Sequence, residues 1–420
     1  MAAARDTRRA GPRRTIRLAL LAAVGPGVLT AMAGNDAGGV STFSVAGAEF
    51  GYGMLWLIPL MTVSLALVQE SATRMGVVTG KGFAALIRER FGLRLSLLAM
   101  VMLLFSNAAT SVSEFAGIAA ATELMGVSRY VTVPVAALVV WLLVIRGSYR
   151  NVERVLLALS AVFVTYLIAA VLARPDWGAV ARATVVPHFE ASTGYVFLVI
   201  AAIGTTIAPW MQFFAQANVV DKGTTVKDLA MQRVDVIAGS VAAGVIAWAI
   251  VVTTGAVLHP AGTRVTDAAS AAVALAPVAG EYATILFAVG LASASILAAC
   301  VLPLTAAYAI CEAFGWERGI DRSWSEAPAF NSIYTFVIVF GAAFTLLPGL
   351  NLIAVMVFSQ AVGGMLLPFL LVFMIRIMND RRIMGRYVNG PIYNWLSWAT
   401  VLIVIALTVA LLVMTILGWT

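Results

Sequence analysis

Residues 23–53 read AVGPGVLTAMAGNDAGGVSTFSVAGAEFGYG, a long apolar stretch with an acid, Asp36, near its middle and Gly34, Gly38 and Gly39 around it. A carboxylate at membrane depth is costly unless a partner, a proton or a cation neutralises it. Glycine favours departures from helical geometry, and irregular backbone inside a bilayer is tolerated only where it lines a cavity or is packed in protein. The same punctuation recurs in residues 195–220, YVFLVIAAIGTTIAPWMQFFAQANVV, with Gly204 and Pro209 at the middle. Proline removes a backbone donor and clashes with the preceding turn. Two interrupted helices, five spans apart, predict a five-plus-five inverted repeat whose broken helices meet at the midplane and build a substrate site.

The rest of the chain fits that frame. Of 420 residues, 61% are hydrophobic and 11% charged, where soluble domains carry about a quarter charged. This excludes an ordinary soluble enzyme and a disordered chain. Apolar segments fall at about 17–49, 53–75, 93–124, 130–146, 153–173, 194–221, 233–258, 280–312, 330–349, 351–377 and 391–418, each long enough for a span of about 20 residues or close to it. The expected fold is an all-α polytopic membrane protein with eleven spans. It divides into a basic tail (1–16), a first five-helix repeat (17–173), a second (194–377) and a peripheral eleventh helix (391–418).

With the N-terminus inside, 23 of the 27 Lys and Arg residues fall in the tail and inner connections. Only Arg129, Arg174, Arg182 and Arg264 fall outside. That asymmetry orients the protein with its N-terminus cytoplasmic and its C-terminus outside. The net charge of +7 is thus a topology signal and not a nucleic-acid face; the expected partner is the lipid bilayer, and no obligate protein partner is evident. The N-terminal basic run has no small-residue cleavage site and reads as a cytoplasmic tail, suited to a prokaryotic plasma membrane. Cys300 and Cys311 share one helix about 16 Å apart, too far for a disulfide. His188 and His259 sit in loops, and no zinc or haem constellation or other cofactor site is expected.

Asp36 is the strongest chemical signal, because no Lys or Arg lies at comparable depth in any span. A cation ligand is the favoured reading and a protonated structural acid the alternative. Glu114 lies in residues 103–124, LLFSNAATSVSEFAGIAAATEL, where Asn107, Thr110, Ser111 and Ser113 make one helix face polar. That suits a wet pathway or a hydrogen-bonded helix contact equally. Glu49, Glu70 and Glu123 fall near helix ends, where water or snorkelling is the default. Gln360, in MVFSQAVGGMLLPF (356–369), offers a hard carbonyl oxygen to a cation or a hydrogen bond to a neighbouring helix. No HExxH, paired catalytic acids or nucleophile elbow occurs in a plausible context, so the chain is not expected to be an enzyme.

These motifs resemble the Nramp family of divalent-metal transporters over nearly the whole chain. GPGVLTAMAGNDAGG (25–39) and AGAEFGYGMLW (46–56) are similar to the family's first helix with its Asp-Pro-Gly-Asn break. GTTIAPWMQFFAQ (204–216) is similar to its Met-Pro-His helix, and FSQAVGGMLLPF (358–369) to its tenth. The resemblance implies a LeuT-type fold, with Asp36, the carbonyls of Ala33 and Thr205, and Gln360 around a metal site. It also implies departures. Ala37 and Gly39 replace the family's Pro and Asn, Ala208 its methionine, Trp210 its histidine, and Ser111 the acid one turn before Glu114. The arginines of the ninth span are missing from residues 330–349.

Losing the thioether removes the soft ligand that favours manganese, iron or cadmium. A roomier oxygen-only pocket suits Mg²⁺, which prefers to keep several waters. Loss of the titratable groups removes a proton relay. The pattern resembles the Nramp-related magnesium transporters. It predicts a secondary transporter importing Mg²⁺, with Mn²⁺ also accepted, by alternating access without proton coupling. Asp36 would be the only charged ligand, Gly39 and Ala208 would leave room for hydration, and Trp210, Glu114 and Ser111 would lie along the pathway, with Trp210 as wall or gate. The rivals are a proton-coupled Mn²⁺/Fe²⁺ transporter with Glu114 as carrier, a sodium-coupled transporter of an organic solute, and an ion channel.

Overall fold

The computed structural model describes residues 35–145, 164–319 and 322–418. Within them every regular element is helical. The first half contains α1 (Ala37–Phe50), α2 (Leu57–Thr79), α3 (Phe83–Leu124), α4 (Arg129–Ile145), α5 (Val164–Leu172) and the short α6 (Trp177–Val185). The second contains α7 (Thr193–Thr206), α8 (Pro209–Asp221), α9 (Leu229–Val257), α10 (Ala283–Phe314), α11 (Pro328–Thr345), α12 (Leu352–Met378) and α13 (Pro391–Ile416). Among the described residues, seven helical stretches are long and apolar enough to cross a membrane. The start of the first predicted span, the basic tail and residues 153–163 lie outside the described residues.

Local chemistry explains the boundaries. α2 ends at Gly80, whose φ of 64° closes a left-handed cap on the Gly76 carbonyl at 2.8 Å. α3 is 42 residues long, far beyond the about 20 that a span needs. Gly92, at φ 78°, divides a leading segment from the part that begins the predicted third span at residue 93. α2 falls short of the seven because its second half carries Gln69, Glu70, Ser71, Thr73 and Arg74, all buried. This inner segment is not the solvated helix end that its sequence suggests.

α3 is the central post, packed against α10, α11 and α12, while α1 lies between α9 and α12. Small residues set the closest approaches. A Cβ on Gly204 of α7 would overlap the α12 backbone at Gln360 and Gly364, and one on Gly117 of α3 would overlap Ser295 of α10 and Ala37 of α1. Such stripes let helices pack where no hydrophobic force drives them together. α13 is the least enclosed, with 22% of its apolar window buried against 89% for α7–α8.

The two ends of the bundle differ. At one, Lys81 pairs with Glu89 at 2.7 Å, Arg90 with Asp380 at 2.7 Å and Arg318 with Glu312 at 3.4 Å. At the other, exposed Glu123 accepts from Arg129 at 3.0 Å, and His259 Nδ1 contacts the Ala48 carbonyl at 3.0 Å. Both cysteines are free and buried on α10.

Candidate functional site

Asp36 stands where α1 begins. Its extended backbone (φ −70°, ψ −173°) makes it the N-cap, and its Oδ1 accepts from Gly39 N at 2.8 Å. A capping aspartate satisfies orphan donors of the first turn and sits at the positive end of the helix dipole. Asp36 is 3% exposed, and among the described residues no Lys or Arg forms an ion pair with it. Asn35, which the sequence reading passed over, donates from Nδ2 to the Ala243 carbonyl at 3.4 Å and ties the start of α1 to α9.

The second break lies between α7 and α8. Ile207, with φ −119° and ψ 55°, ends α7. Ala208 caps α8 in extended conformation and Pro209 takes its first position, where a missing N–H costs nothing. Pro209 cannot donate to Thr205, four residues earlier, so the helical ladder does not continue through this point. Thr205 is 1% exposed at the end of α7.

α12 joins the two breaks. Gln360 lies so close over Gly38, in the first turn of α1, that a Cβ there would overlap its amide, and its backbone meets Gly204 of α7. Gln360 Nε2 is buried with no hydrogen-bond partner among the described residues. Gln360 thus packs against the first turn of α1, two residues after Asp36, and against the end of α7 at Gly204, next to Thr205. Ala33 lies outside the described residues.

Glu114 also meets the start of α1. Its Oε2 accepts from Ala37 N at 3.3 Å, and its carboxyl lies beside that of Asp36. The sequence marks Glu114 as an intramembrane acid on the pathway, with Asp36 as the only charged ligand. Packing 77 positions away in the chain brings the second acid in, and no local signal announces it. Ser111, on the same helix, donates to the Val337 carbonyl at 3.2 Å and faces α11, away from the break.

Trp210 is fully buried in the first turn of α8, edge-on to Phe214 with ring centroids 6.0 Å apart. Phe213 and Phe214 wall a cavity of about 310 Å³ that opens beside Lys222, Glu312 and Arg318. Trp210 thus stands between the α7–α8 break and a vestibule at the Lys/Arg-rich end.

Residues 27–414 match the family described as natural resistance-associated macrophage protein-like, Nramp. The chain belongs to the Nramp family. Family relatives include the divalent metal cation transporter MntH of Deinococcus radiodurans, 28% identical over 415 residues and covering 95% of this chain and 90% of the relative. The MntH of Aeromonas hydrophila subsp. hydrophila is 28% identical over 416 residues, covering 96% and 97%. Among solved structures, the Eremococcus coleocola manganese transporter in complex with an aromatic bis-isothiourea substituted compound aligns with a TM-score of 0.75 at 22% identity, over 97% of this chain and 89% of that one. MhsT in complex with L-phenylalanine aligns at 0.57 and 15% identity, over 93% and 97%. The fold is that of an all-helical membrane transporter with LeuT-like neighbours.

Against this Nramp frame, the buried groups of α2 need a correction. Glu70 is 2% exposed and pairs with Arg74 at 3.1 Å and Arg233 at 2.8 Å. Arg74 also donates to the Tyr387 carbonyl at 2.9 Å and to Asn389 Oδ1 at 2.6 Å, and lies over the Tyr393 ring. The acid is neutralised by protein and not by water.

Proposed function

We propose that the chain is a secondary transporter importing divalent metal cations, chiefly Mg²⁺ with Mn²⁺ also accepted, by alternating access and without proton coupling. The observation that carries this reading is the donor set at the two breaks. Asp36, uncompensated by any Lys or Arg among the described residues, shares a buried locus with the Gln360 amide and the Thr205 end of α7. Gly39 and Ala208 stand where larger ligating side chains would narrow it. Oxygen and amide donors with no thioether suit a hard cation, and Mg²⁺ dehydrates reluctantly. The curated relatives named above are called divalent metal cation transporters, which supports the substrate class.

In this reading residues 17–173 and 194–377 are the two repeats and residues 391–418 a peripheral helix. The Lys/Arg-rich end faces the cytoplasm of a prokaryotic plasma membrane, and the positive-inside asymmetry assigns the N-terminus to that side and the C-terminus to the outside. A doubly charged ion moving inward gains about 4.6 kcal/mol per 100 mV of inside-negative potential, so uptake needs no second ion. The Trp210–Phe214 pair above the vestibule is the inner gate.

A second reading has a specific observation in its favour. The Glu114 carboxyl lies beside that of Asp36, a position from which it could carry a proton in a proton-coupled Mn²⁺ transporter. The two readings separate in proteoliposomes at a set potential, with Mg²⁺ flux and an internal pH dye read together. Saturable Mg²⁺ uptake with a silent pH signal is expected. Inert Mg²⁺, with Mn²⁺ entering alongside protons, would overturn the first reading in favour of the second.

A further inference from the structure

Residues 83–91, FAALIRERF, form the leading segment of α3 and lie between two glycines at positive φ, Gly80 (64°) and Gly92 (78°). A Cβ at either glycine would meet nothing within 4 Å. What glycine supplies there is the left-handed turn itself and not room for a neighbour. Phe83, Ala84, Leu86 and Ile87 are buried, while Glu89 and Arg90 are exposed. The segment is thus an amphipathic helix about 12 Å long from first Cα to last, set off by the kink at Gly92 from the span that follows.

Its two ends are fastened to different parts of the bundle. At the start, the Phe83 ring packs on Phe213 of α8 with centroids 4.8 Å apart, and the Lys81 carbonyl accepts from Gln216 Nε2 of α8 at 2.7 Å. Gly82 N donates to Glu312 Oε1 of α10 at 3.0 Å. Gly82, Phe213 and Glu312 all line the vestibule, so the segment begins in the wall between α8 and α10. At the far end, Phe91 packs edge-on to Phe373 of α12 with centroids 5.1 Å apart. Arg90 Nε pairs there with Asp380 Oδ2 at 2.7 Å, just past the end of α12. The segment therefore joins the helix that leaves the second break to the helix that carries Gln360.

We infer that residues 83–91 are a coupling bar that makes a change in the width of the vestibule and a shift of α12 one event, with Arg90 and Asp380 as positioning residues for transport. This rests on the proposal of transport by alternating access. A short helix turning as one piece about a glycine at each end hands displacement from one end to the other, whereas a loose connection would absorb it. Packed rings and ion pairs in unbroken contact are the physical carriers of such coupling. The Arg90 side chain is 52% exposed, so its ion pair adds little to stability. What the pair does fix is where the far end of the bar sits against α12.

The test pairs Mg²⁺ uptake in proteoliposomes with a labelling assay on the full chain in detergent. In an Asn218→Cys background, the new thiol stands in the vestibule wall and its rate of reaction with a water-soluble maleimide reports opening; the two native cysteines are buried. Arg90→Ala, outside that wall, is expected to change the labelling rate at least about threefold and to lower kcat about fivefold. KM and the unfolding temperature should stay unchanged. Asp380→Asn, which keeps an oxygen for the Arg382 N–H, should match it, and Arg90→Lys, which keeps the charge, should restore both readouts. Labelling and kcat unmoved by both disruptive variants would make the segment simple packing and overturn the inference. A fall in kcat that comes with a lower unfolding temperature and unmoved labelling would assign the pair to stability and overturn it too. Wild-type protein without saturable Mg²⁺ uptake overturns the magnesium reading instead, and the labelling rates then decide on the bar by themselves.

Discussion

The carboxylate of Glu70 and that of Asp36 are equally hidden, 2% and 3% exposed, yet their surroundings are opposite. Glu70 has guanidinium groups at 2.8 and 3.1 Å, and one of these is held in turn by the loop before α13. Asp36 has backbone donors, a second carboxyl and an unpaired amide near it, with no ion-paired cation among the described residues. A buried acid with its cations supplied by the protein locks helices together. One without them is a site awaiting a cation or a proton. Burial alone does not tell the two apart; the partner list does.

The sharpest way to break this contrast is at Asp36. Asp36→Asn keeps an oxygen for Gly39 N and so keeps the cap, whose removal would cost only about 1 kcal/mol. It is expected to lower kcat/KM for Mg²⁺ at least about 1,000-fold, about 4 kcal/mol. Near-normal flux in this variant would make Asp36 a cap and nothing more.

Glu70→Gln should behave in the reverse way. It leaves Arg74 and Arg233 without their shared carboxylate and is expected to destabilise the fold by about 3 kcal/mol, read as a lower unfolding temperature in detergent. Protein that does fold should retain the Mg²⁺ KM of the wild type. A changed ion preference with unchanged stability would mean that the network belongs to the transport site.

A smaller effect is expected at the joint between the breaks. Gly204→Ala pushes a methyl group into the α12 backbone beside Gln360, an overpacking worth about 2 kcal/mol, and should weaken Mg²⁺ binding through displaced Gln360. Binding unaltered by titration calorimetry would detach Gln360 from the site. Smallest of all, Ala208→Met restores a soft ligand and is expected to shift the Mn²⁺-to-Mg²⁺ preference about tenfold toward Mn²⁺. An unmoved ratio would remove the softness argument.

The two helix breaks were legible because their signals are local. Asp36 is conspicuous as an acid between glycines in an apolar run, and Pro209 because a missing N–H interrupts a helix wherever it stands. The third span's start at residue 93 follows from Gly92, whose positive φ breaks α3 there. Glu70 was misread for a matching reason. Distance from a helix end is a one-dimensional measure, and the groups that bury and neutralise Glu70 come from Arg233, 163 residues on, and from a chain of contacts through Arg74 to residues 387–393. Glu114 was recognised as an intramembrane acid, but not that it lies beside Asp36.

The sequence by itself determined where the chain is apolar enough to cross a bilayer, where its helices break and which polar residues stand at the breaks, because hydropathy, proline and glycine act within a few residues of themselves. Only the tertiary structure decided which acids are paired with cations, that Glu114 lies beside Asp36, and that Gln360 packs against both breaks. Those depend on helices that meet at a few small residues, and no periodicity along one helix encodes which neighbour will fill the space that a glycine on another leaves open.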